Sequence, residues 1–266
     1  MCIIASILLV LIIYTVWANK ALELNTYTVT SSKLPAAFDG FRIAHISDLH
    51  NCEIGKNNTR LLKMLREAKP DIIAITGDLI DSRNTNMAVA LNFVTNATEI
   101  APCYYVPGNH ESRISEYPAF REQLEQLGVT VLENENVTIT SGQDSITISG
   151  LVDPAFPGID PGAILQDLHN PAQYTVLLSH RPEIFDLYAE KGVDLVLSGH
   201  AHGGQVRLPL IGGLYAPAQG PLPKYEDGIH QNGQTSMVVS RGIGNSLFPI
   251  RIGNRPEVVL IELKNQ

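Results

Sequence analysis

The chain has 266 residues, of which 44% are hydrophobic and 17% are charged, and its formal net charge at pH 7 is −8. This length and apolar content suit one sizeable domain, or at most two small ones. Proteins that bind nucleic acids generally carry a basic face, so the acidic balance argues against nucleic acid as a partner. Phosphate compounds stay open as ligands, because bound cations can supply positive charge locally.

The N-terminal segment is a charge-free apolar run of 17 residues, from Cys2 to Ala18. This length is near the lower limit for spanning a lipid bilayer, and the basic residues that begin a signal peptide are absent from the sequence before it. We therefore predict that residues 1–18 form a single-pass transmembrane helix that anchors the chain in the cell membrane. A cleaved signal peptide is the alternative, and the side of the membrane stays open. Residues 19–39 are then a juxtamembrane segment, and residues 40–266 form the globular domain.

Apolar spacing and breaker residues predict the regular elements of the globular part. Helical spacing indicates four helices, at residues 60–68, 87–96, 116–127 and 183–190. Alternating apolar residues predict an edge strand at 26–30 and a hairpin of 137–140 with 145–149. Strands and helices alternate up to Ser198, which predicts an α/β fold with a mainly parallel sheet. Later strand-like runs predict a second, more antiparallel sheet, and they lie at 205–208, 237–240 and 258–263.

Five apolar runs each end in residues of the kind that bind metals. The runs occupy residues 41–47, 72–76, 103–107, 174–179 and 193–198. Such runs are typical of buried strands, and ligands bind beyond the carboxyl ends of the strands in open α/β sheets. We therefore expect the residues after the runs to converge on one site, namely Asp48, His50, Asp78, Asn109, His180, His200 and His202. Carboxylates, imidazoles and an amide favour hard or borderline cations, and this many donors suit two of them.

The order of these blocks resembles that of calcineurin-like metallophosphoesterases. The blocks are Asp-x-His, Gly-Asp-x-x-Asp, Gly-Asn-His-Glu, His and Gly-His-x-His, and here they begin at Asp48, Gly77, Gly108, His180 and Gly199. Further segments resemble a membrane-anchored bacterial branch that includes enzymes similar to UDP-2,3-diacylglucosamine pyrophosphatases, and these segments are His45–His50, Gly199–Gln205 and Ser240–Gly242. The resemblance implies a four-layer α/β/β/α sandwich.

The resemblance also implies a role for each site residue. One metal is bound by Asp48, His50, Asp78 and His202. The second metal is bound by Asp78, Asn109, His180 and His200, so Asp78 bridges the two ions, and a bridging water or hydroxide is the implied nucleophile. His110 is implied to stabilise or protonate the leaving oxygen, and Asp81 to orient His110 or a ligand. Manganese, zinc and iron all suit these donors, so the identity of the two divalent metal ions stays open.

These features predict a two-metal-dependent hydrolase of phosphoester or pyrophosphate bonds. Its substrate is a small phosphoester or a lipid-linked or envelope compound such as UDP-diacylglucosamine, and the predicted anchor favours the second kind. The alternatives are a non-catalytic metal-binding scaffold of the same fold and a nuclease. Loop 203–223 is a candidate lid or substrate wall. The role of Glu111 stays open, and four basic residues are candidate phosphate contacts, namely Arg83, Arg207, Lys224 and Arg241.

Overall fold

The computed structural model describes residues 2–245 and 250–266 of the chain. The α-helices within these ranges are α1 (Cys2–Ala18), α2 (Thr59–Ala68), α3 (Met87–Ala97), α4 (Tyr117–Gln126), α5 (Pro161–Leu168) and α6 (Phe185–Glu190). The first strands are β1 (Glu23–Ser31), β2 (Arg42–Ile46), β3 (Ile72–Thr76), β4 (Cys103–Val106), β5 (Val129–Val131), β6 (Asn136–Ser141), β7 (Asp144–Leu151), β8 (Thr175–Ser179) and β9 (Leu195–Ser198). The later strands are β10 (Arg207–Leu208), β11 (Gly212–Gly213), β12 (Tyr215–Ala216), β13 (Gly220–Pro221), β14 (Gly228–Asn232), β15 (Thr235–Val239) and β16 (Glu257–Asn265).

The first large sheet, sheet I, has the strand order β1-β16-β2-β3-β4-β5. Strands β2 to β5 run parallel, and helices α2, α3 and α4 connect them in turn. The last strand of the chain, β16, lies between two early strands. It runs parallel to β1, where Glu257 pairs with Glu23, and antiparallel to β2, where Ile261 pairs with Ile43. The first strand, β1, and the last strand, β16, of the described ranges are therefore neighbours in one sheet.

The second large sheet, sheet II, has the strand order β14-β15-β9-β8-β7-β6. Its four inner strands are parallel, and each edge strand is the antiparallel partner in a hairpin. Helix α5 connects β7 to β8, and α6 connects β8 to β9. Two short antiparallel ribbons, β10–β11 and β12–β13, occupy the long loop between β9 and β14. The parallel strands of both sheets thus end at the loops that carry the residues predicted to bind metal.

Buried apolar clusters show how the layers pack. Side chains alternate between the two faces of a strand. In β3, Ile73 and Ile75 accordingly belong to a cluster with helices α2, α3 and α4, whereas Ile72 and Ala74 belong to a cluster between the two sheets. A third cluster, which contains Phe185, lies between sheet II and helices α5 and α6. The layers therefore run helices, sheet, sheet, helices, and the α/β architecture with mixed sheets is confirmed.

Several predicted elements agree with the structure. The four predicted helices match α2, α3, α4 and α6 with ends shifted by at most two residues, and the predicted edge strand and hairpin match β1, β6 and β7. Helix α5 was not predicted, although Asp160 caps it by accepting hydrogen bonds from Gly162 N and Ala163 N at 2.9 and 3.3 Å. Such an acidic cap followed by proline is a recognisable helix start.

The prediction that the three strand-like runs after residue 204 form a second, more antiparallel sheet is wrong. Strand β15 pairs parallel with β9 in sheet II, and β16 joins sheet I. The physical reason is that a strand pairs with whichever strands pack beside it in the folded chain, and the parallel partner of β15 and both partners of β16 lie far away in sequence. Strand β1, which falls in the predicted juxtamembrane segment 19–39, likewise pairs with β16 over its full length.

The apolar N-terminal run forms helix α1, as its composition indicates. At about 1.5 Å per residue its 17 residues extend about 26 Å, which is shorter than the hydrocarbon core of about 30 Å. None of the helices in the described ranges is both long enough and apolar enough to cross a bilayer. The predicted transmembrane helix over residues 1–18 is therefore unsupported.

Candidate metal centre

The predicted ligands follow the carboxyl ends of three strands in sheet I and two in sheet II. They are Asp48 and His50 after β2, Asp78 after β3, Asn109 after β4, His180 after β8, and His200 and His202 after β9. All seven are buried. A hydrogen bond from the His200 backbone N–H to Asp48 Oδ2, at 3.0 Å, joins the ends of the two sheets. The structure therefore brings together every predicted ligand.

The first ligand group consists of Asp48, His50 and His202, whose donor atoms all lie within 4.8 Å of one another. Asp48 Oδ1 is 3.6 Å from His50 Nε2 and 3.3 Å from His202 Nε2. Among the described residues, Asp48 Oδ1 and His50 Nε2 are buried atoms without a hydrogen-bond partner. Unsatisfied buried donors and acceptors are costly, and a cation would satisfy both atoms. These residues therefore fit a divalent metal.

The second ligand group consists of Asp78, His180 and His200. His180 Nε2 is 3.2 Å from both Asp78 Oδ2 and His200 Nδ1. The terminal amide of Asn109 comes within 2.9 Å of His200 Nδ1 and completes the group. His180 Nδ1 lies 2.7 Å from the carbonyl oxygen of Thr76, which orients the ring so that Nε2 faces the group. A ligating imidazole is commonly held in this way through its second nitrogen.

Asp78 lies between the two groups. Its Oδ2 atom is 3.5 Å from His50 Nε2 on one side and 3.2 Å from His180 Nε2 on the other. Its Oδ1 atom accepts a hydrogen bond from His110 N at 2.8 Å, which fixes the carboxylate plane. One carboxylate with access to both groups is the arrangement that a two-metal centre needs.

The backbone at the ligand positions is strained. Asp48, His50, Asp78, His200 and His202 all have φ between 45° and 65°, in the left-handed region. Each such residue costs about 1–3 kcal/mol and persists only where surrounding contacts enforce it. Backbone hydrogen bonds from Asp48 N to Gly77 O and from His50 N to Asp78 O, at 3.1 and 3.0 Å, provide part of that enforcement. A cluster of strained residues where the ends of the two sheets meet indicates a functional site.

Two glycines of the sequence blocks are required by close packing at the centre. A Cβ atom on Gly108 would overlap the Asp78 carboxylate, and one on Gly199 would overlap the hydroxyl of Ser47. Glycine allows another chain to approach this closely. Gly108 therefore lets the ends of the neighbouring strands β3 and β4 meet, and Gly199 lets the end of β9 in sheet II approach the end of β2 in sheet I.

Comparison with known proteins identifies the family. Residues 41–204 match the family described as calcineurin-like phosphoesterase. This chain belongs to the calcineurin-like phosphoesterase family. The metallophosphoesterase YkuE of Bacillus subtilis (strain 168), described as uncharacterized, is 32% identical over 251 residues, which cover 92% of this chain and 86% of YkuE. The phosphodiesterase YaeI of Escherichia coli (strain K12) is 28% identical over 228 residues, covering 84% of this chain and 82% of YaeI. The protein is accordingly a metal-dependent phosphoesterase.

The fold of this phosphoesterase also has counterparts among solved structures. The crystal structure of TT1561 of Thermus thermophilus matches with a TM-score of 0.51 and 14% sequence identity. The match covers 77% of this chain and 90% of TT1561. At this level of identity the similarity shows the shared fold.

The charges of the phosphoesterase centre are set by burial and by neighbouring groups. Burial disfavours ionised Asp78, but His180, His50 and His110 together outweigh it and hold the pKa of Asp78 well below its usual range. Burial likewise opposes protonation of His180, but Asp78 raises its pKa to about 10. Burial lowers the pKa of His202 to about 3. The centre thus offers ionised carboxylates, and a cation would displace the proton of His180.

His110 is oriented by the backbone of Ser82. Ser82 N donates a hydrogen bond to His110 Nδ1 at 3.0 Å, so that nitrogen is an acceptor and the proton of the neutral ring is on Nε2. Nε2 is 4.0 Å from Asp78 Oδ2, at the centre. Asp81 Oδ1 lies 3.5 Å from His110 Nδ1, and its carboxylate is held by Arg83 at 2.9 and 2.6 Å. Ser82 was not predicted, because a contact through the backbone leaves no signal in residue type.

The structure gives Glu111 a role as a buried anchor. Its carboxylate accepts hydrogen bonds from Gly108 N and Asp78 N at 2.8 and 2.9 Å, and from Ile80 N at 3.3 Å. Burial, with Asp78 as the next largest cause, raises the pKa of Glu111 to about 7. One side chain therefore holds together the two loops that carry Asp78 and Asn109.

The centre opens into a cavity of about 230 Å³. Its lining includes Arg83, Arg113 and Pro217 together with His110. Pro217 belongs to the predicted loop 203–223, which therefore forms part of the wall. Two of the predicted phosphate contacts have structural partners instead, since Arg207 pairs with Glu226 and Asp227, and Arg241 pairs with Glu23 and Glu257.

Proposed function

We propose that the protein hydrolyses phosphoester or pyrophosphate bonds with two divalent cations, one on each side of Asp78. The supporting observation is that Asp78 Oδ2 lies within 3.5 Å of a histidine nitrogen from each ligand group. The residues proposed to hold the cations are Asp48, His50, Asp78 and His202 for one and Asp78, Asn109, His180 and His200 for the other. Paired cations supply Lewis acidity and lower the pKa of bound water, so that hydroxide is available at neutral pH.

We propose His110 as the group that stabilises or protonates the leaving oxygen. The hydrogen bond from Ser82 keeps Nε2–H directed toward the centre, which suits donation to a substrate oxygen. Asp81 is proposed to support this orientation indirectly, because its Oδ1 atom accepts a hydrogen bond from Arg83 N at 2.9 Å and so holds the turn that carries Ser82. Arg83 and Arg113 line the cavity and are proposed to contact phosphate oxygens.

A lipid-linked or envelope substrate is the second part of the proposal. Helix α1 exposes large apolar side chains between residues 9 and 17, among them Ile12, Ile13 and Trp17. A cavity of about 600 Å³ lies between α1 and the body of the domain, and its lining includes Ile54 and Ile252. Apolar surface of this extent favours contact with lipid. We therefore propose that α1 associates with a membrane, and that substrates such as UDP-diacylglucosamine are reached there.

The test of hydrolysis is a substrate panel on metal-stripped protein, with Mn²⁺, Zn²⁺ or Fe²⁺ added back. The panel compares phosphomonoesters, phosphodiesters, cyclic nucleotides, UDP-linked sugar lipids and single-stranded DNA. We expect turnover to require metal and to be lost in His202→Ala but not in His169→Ala, a control histidine at the end of α5. Two bound metals without turnover would favour the scaffold alternative, and a preference for DNA would favour the nuclease.

The test of membrane association is cosedimentation with phospholipid vesicles. The full chain is compared with a chain that lacks residues 1–17. We expect the shortened chain to lose binding while it keeps turnover of a soluble ester. Equal sedimentation of both chains would contradict the role of α1.

A further inference from the structure

Segment 242–245 packs against the backbone of the first ligand group. Gly244 N donates a hydrogen bond to Asp48 O at 2.7 Å. A Cβ atom on Gly244 would overlap Leu49 O and would lie 3.0 Å from His50 Cβ. Only glycine allows so close an approach. The segment therefore lies directly on the loop that carries two ligands of the first group.

Arg251 holds this segment in place. Its side chain is fully buried. Its Nη2 atom donates a hydrogen bond to Gly244 O, and its Nε atom donates to Asn245 Oδ1 at 3.0 Å. Neither acceptor is a carboxylate, and a buried charge without such a partner is costly. An apolar side chain would fill the same place at less cost, which indicates that the arginine is needed for the hydrogen bonds it donates.

Asn19, which directly follows helix α1, fixes the backbone of Arg251. Its Nδ2 atom donates a hydrogen bond to Arg251 O at 2.8 Å, and its Oδ1 atom accepts one from Arg251 N at 2.9 Å. The same Nδ2 atom donates to Thr15 O, one turn earlier in α1, at 2.7 Å. A continuous series of hydrogen bonds therefore runs from the end of α1 through Arg251 and Gly244 to Asp48.

We propose that Asn19 and Arg251 are positioning residues for the first ligand group. This proposal rests on the proposed two-metal function. Asp48 and His50 have φ of 53° and 45°, and such a backbone persists only where surrounding contacts enforce it. Loss of the contacts made through Gly244 would let this loop relax and would separate the two ligands. The second ligand group accepts no hydrogen bond from either positioning residue in the described structure, so its geometry should be kept.

The test is a Mn²⁺ titration of the full chain followed by electron paramagnetic resonance. In a His200→Ala background the binding reports on the first ligand group, and in a His202→Ala background it reports on the second. We expect Asn19→Ala to weaken binding about 10-fold in the first background and to leave it unchanged in the other. Asn136→Ala is the matched control. It removes an asparagine that donates to Leu168 O at 2.9 Å in sheet II, and it should change neither affinity.

A second variant, Arg251→Lys, keeps the positive charge but removes the Nε donor, and we expect the same selective loss. Amide hydrogen exchange of the metal-free chain gives a readout that needs no cation. In both variants the Gly244 amide should exchange faster, whereas the Asp78 amide, which donates to Glu111 Oε2 at 2.9 Å, should keep its rate.

Two results would overturn the positioning role while the two-metal function stands. One is an equal loss of Mn²⁺ affinity at both ligand groups, and the other is an Asn19→Ala variant that matches Asn136→Ala in affinity and in exchange of the Gly244 amide. An unsubstituted chain that binds no metal at all would overturn the two-metal function as well.

Discussion

Replacement of Glu111 by alanine tests how the two ligand loops are held together. The change leaves three buried backbone donors, on Asp78, Ile80 and Gly108, without their acceptor. An unpaired buried donor costs about 1–3 kcal/mol. Part of this cost is offset, because the buried carboxylate is itself unfavourable. We expect the free energy of unfolding to fall by about 3–5 kcal/mol, which is large for one substitution.

The assay is urea unfolding followed by circular dichroism in the presence of a chelator. Without metal, binding energy does not contribute to the measured stability. Glu122→Ala, at an exposed glutamate on helix α4, is the matched control and should change the free energy of unfolding by less than about 0.5 kcal/mol. A loss below about 1 kcal/mol for Glu111→Ala would refute the reasoning, since the three donors would then have found other partners.

The raised pKa of Glu111 also predicts that the stability of the protein depends on pH. Its pKa in the folded chain is raised from 4.5 to about 7. The folded chain therefore keeps a proton that the unfolded chain has already lost, and this contribution to stability falls as pH rises from about 4.5 to 7. Glu111→Gln does not titrate, so its unfolding free energy should lack this part of the slope. Identical slopes for the two proteins would show that Glu111 ionises normally.

Three further predictions concern the ligands and the N-terminal helix. Asp78→Asn should abolish turnover, and elemental analysis should show that bound metal falls from two ions toward one or none. Two retained ions with normal turnover would show that Asp78 does not bridge the metals. Asn109→Ala should weaken metal binding, whereas His110→Ala should keep both ions and lose about 10²–10⁴-fold in turnover, most for esters with poor leaving groups. Loss of an ion from the His110→Ala variant would show that His110 is a metal ligand. Deletion of residues 1–17 should leave a domain that is folded by circular dichroism and active in the hydrolysis assay. Deletion of residues 1–24 should destabilise the domain, because it removes Glu23, which pairs with two arginines.

The ligands were predictable because each one follows a buried apolar strand. In a mostly parallel sheet that position determines the edge at which a side chain lies, whatever the order of the strands. His45 shows the other side of this rule. It lies inside β2 and forms a buried contact of 2.8 Å with Thr76 Oγ1, and it belongs to neither ligand group.

The contacts that orient the ligands could not be predicted, because they join residues that are distant in sequence or act through the backbone. Asn19 and Arg251 lie far apart in sequence, and only the pairing of β1 with β16 brings their segments together. Ser82 acts through its N–H, which every residue type except proline supplies. The location of β16 was missed for the same reason, since a strand has no local pattern that names its partner.

The location of β16 has a consequence for how the protein is made. All seven predicted ligands lie before residue 203, whereas β16, the strand that separates β1 from β2, is synthesised after all of them. A chain is synthesised from its N-terminus, so more than 200 residues are added after β2 before β16, the shared neighbour of β1 and β2, is made. Pairing across such a sequence distance is slow. Until it occurs, the unpaired edges of β1 and β2 can pair with strands of other chains. A product that stops before Glu257 would carry the complete ligand set and still lack the strand that closes sheet I.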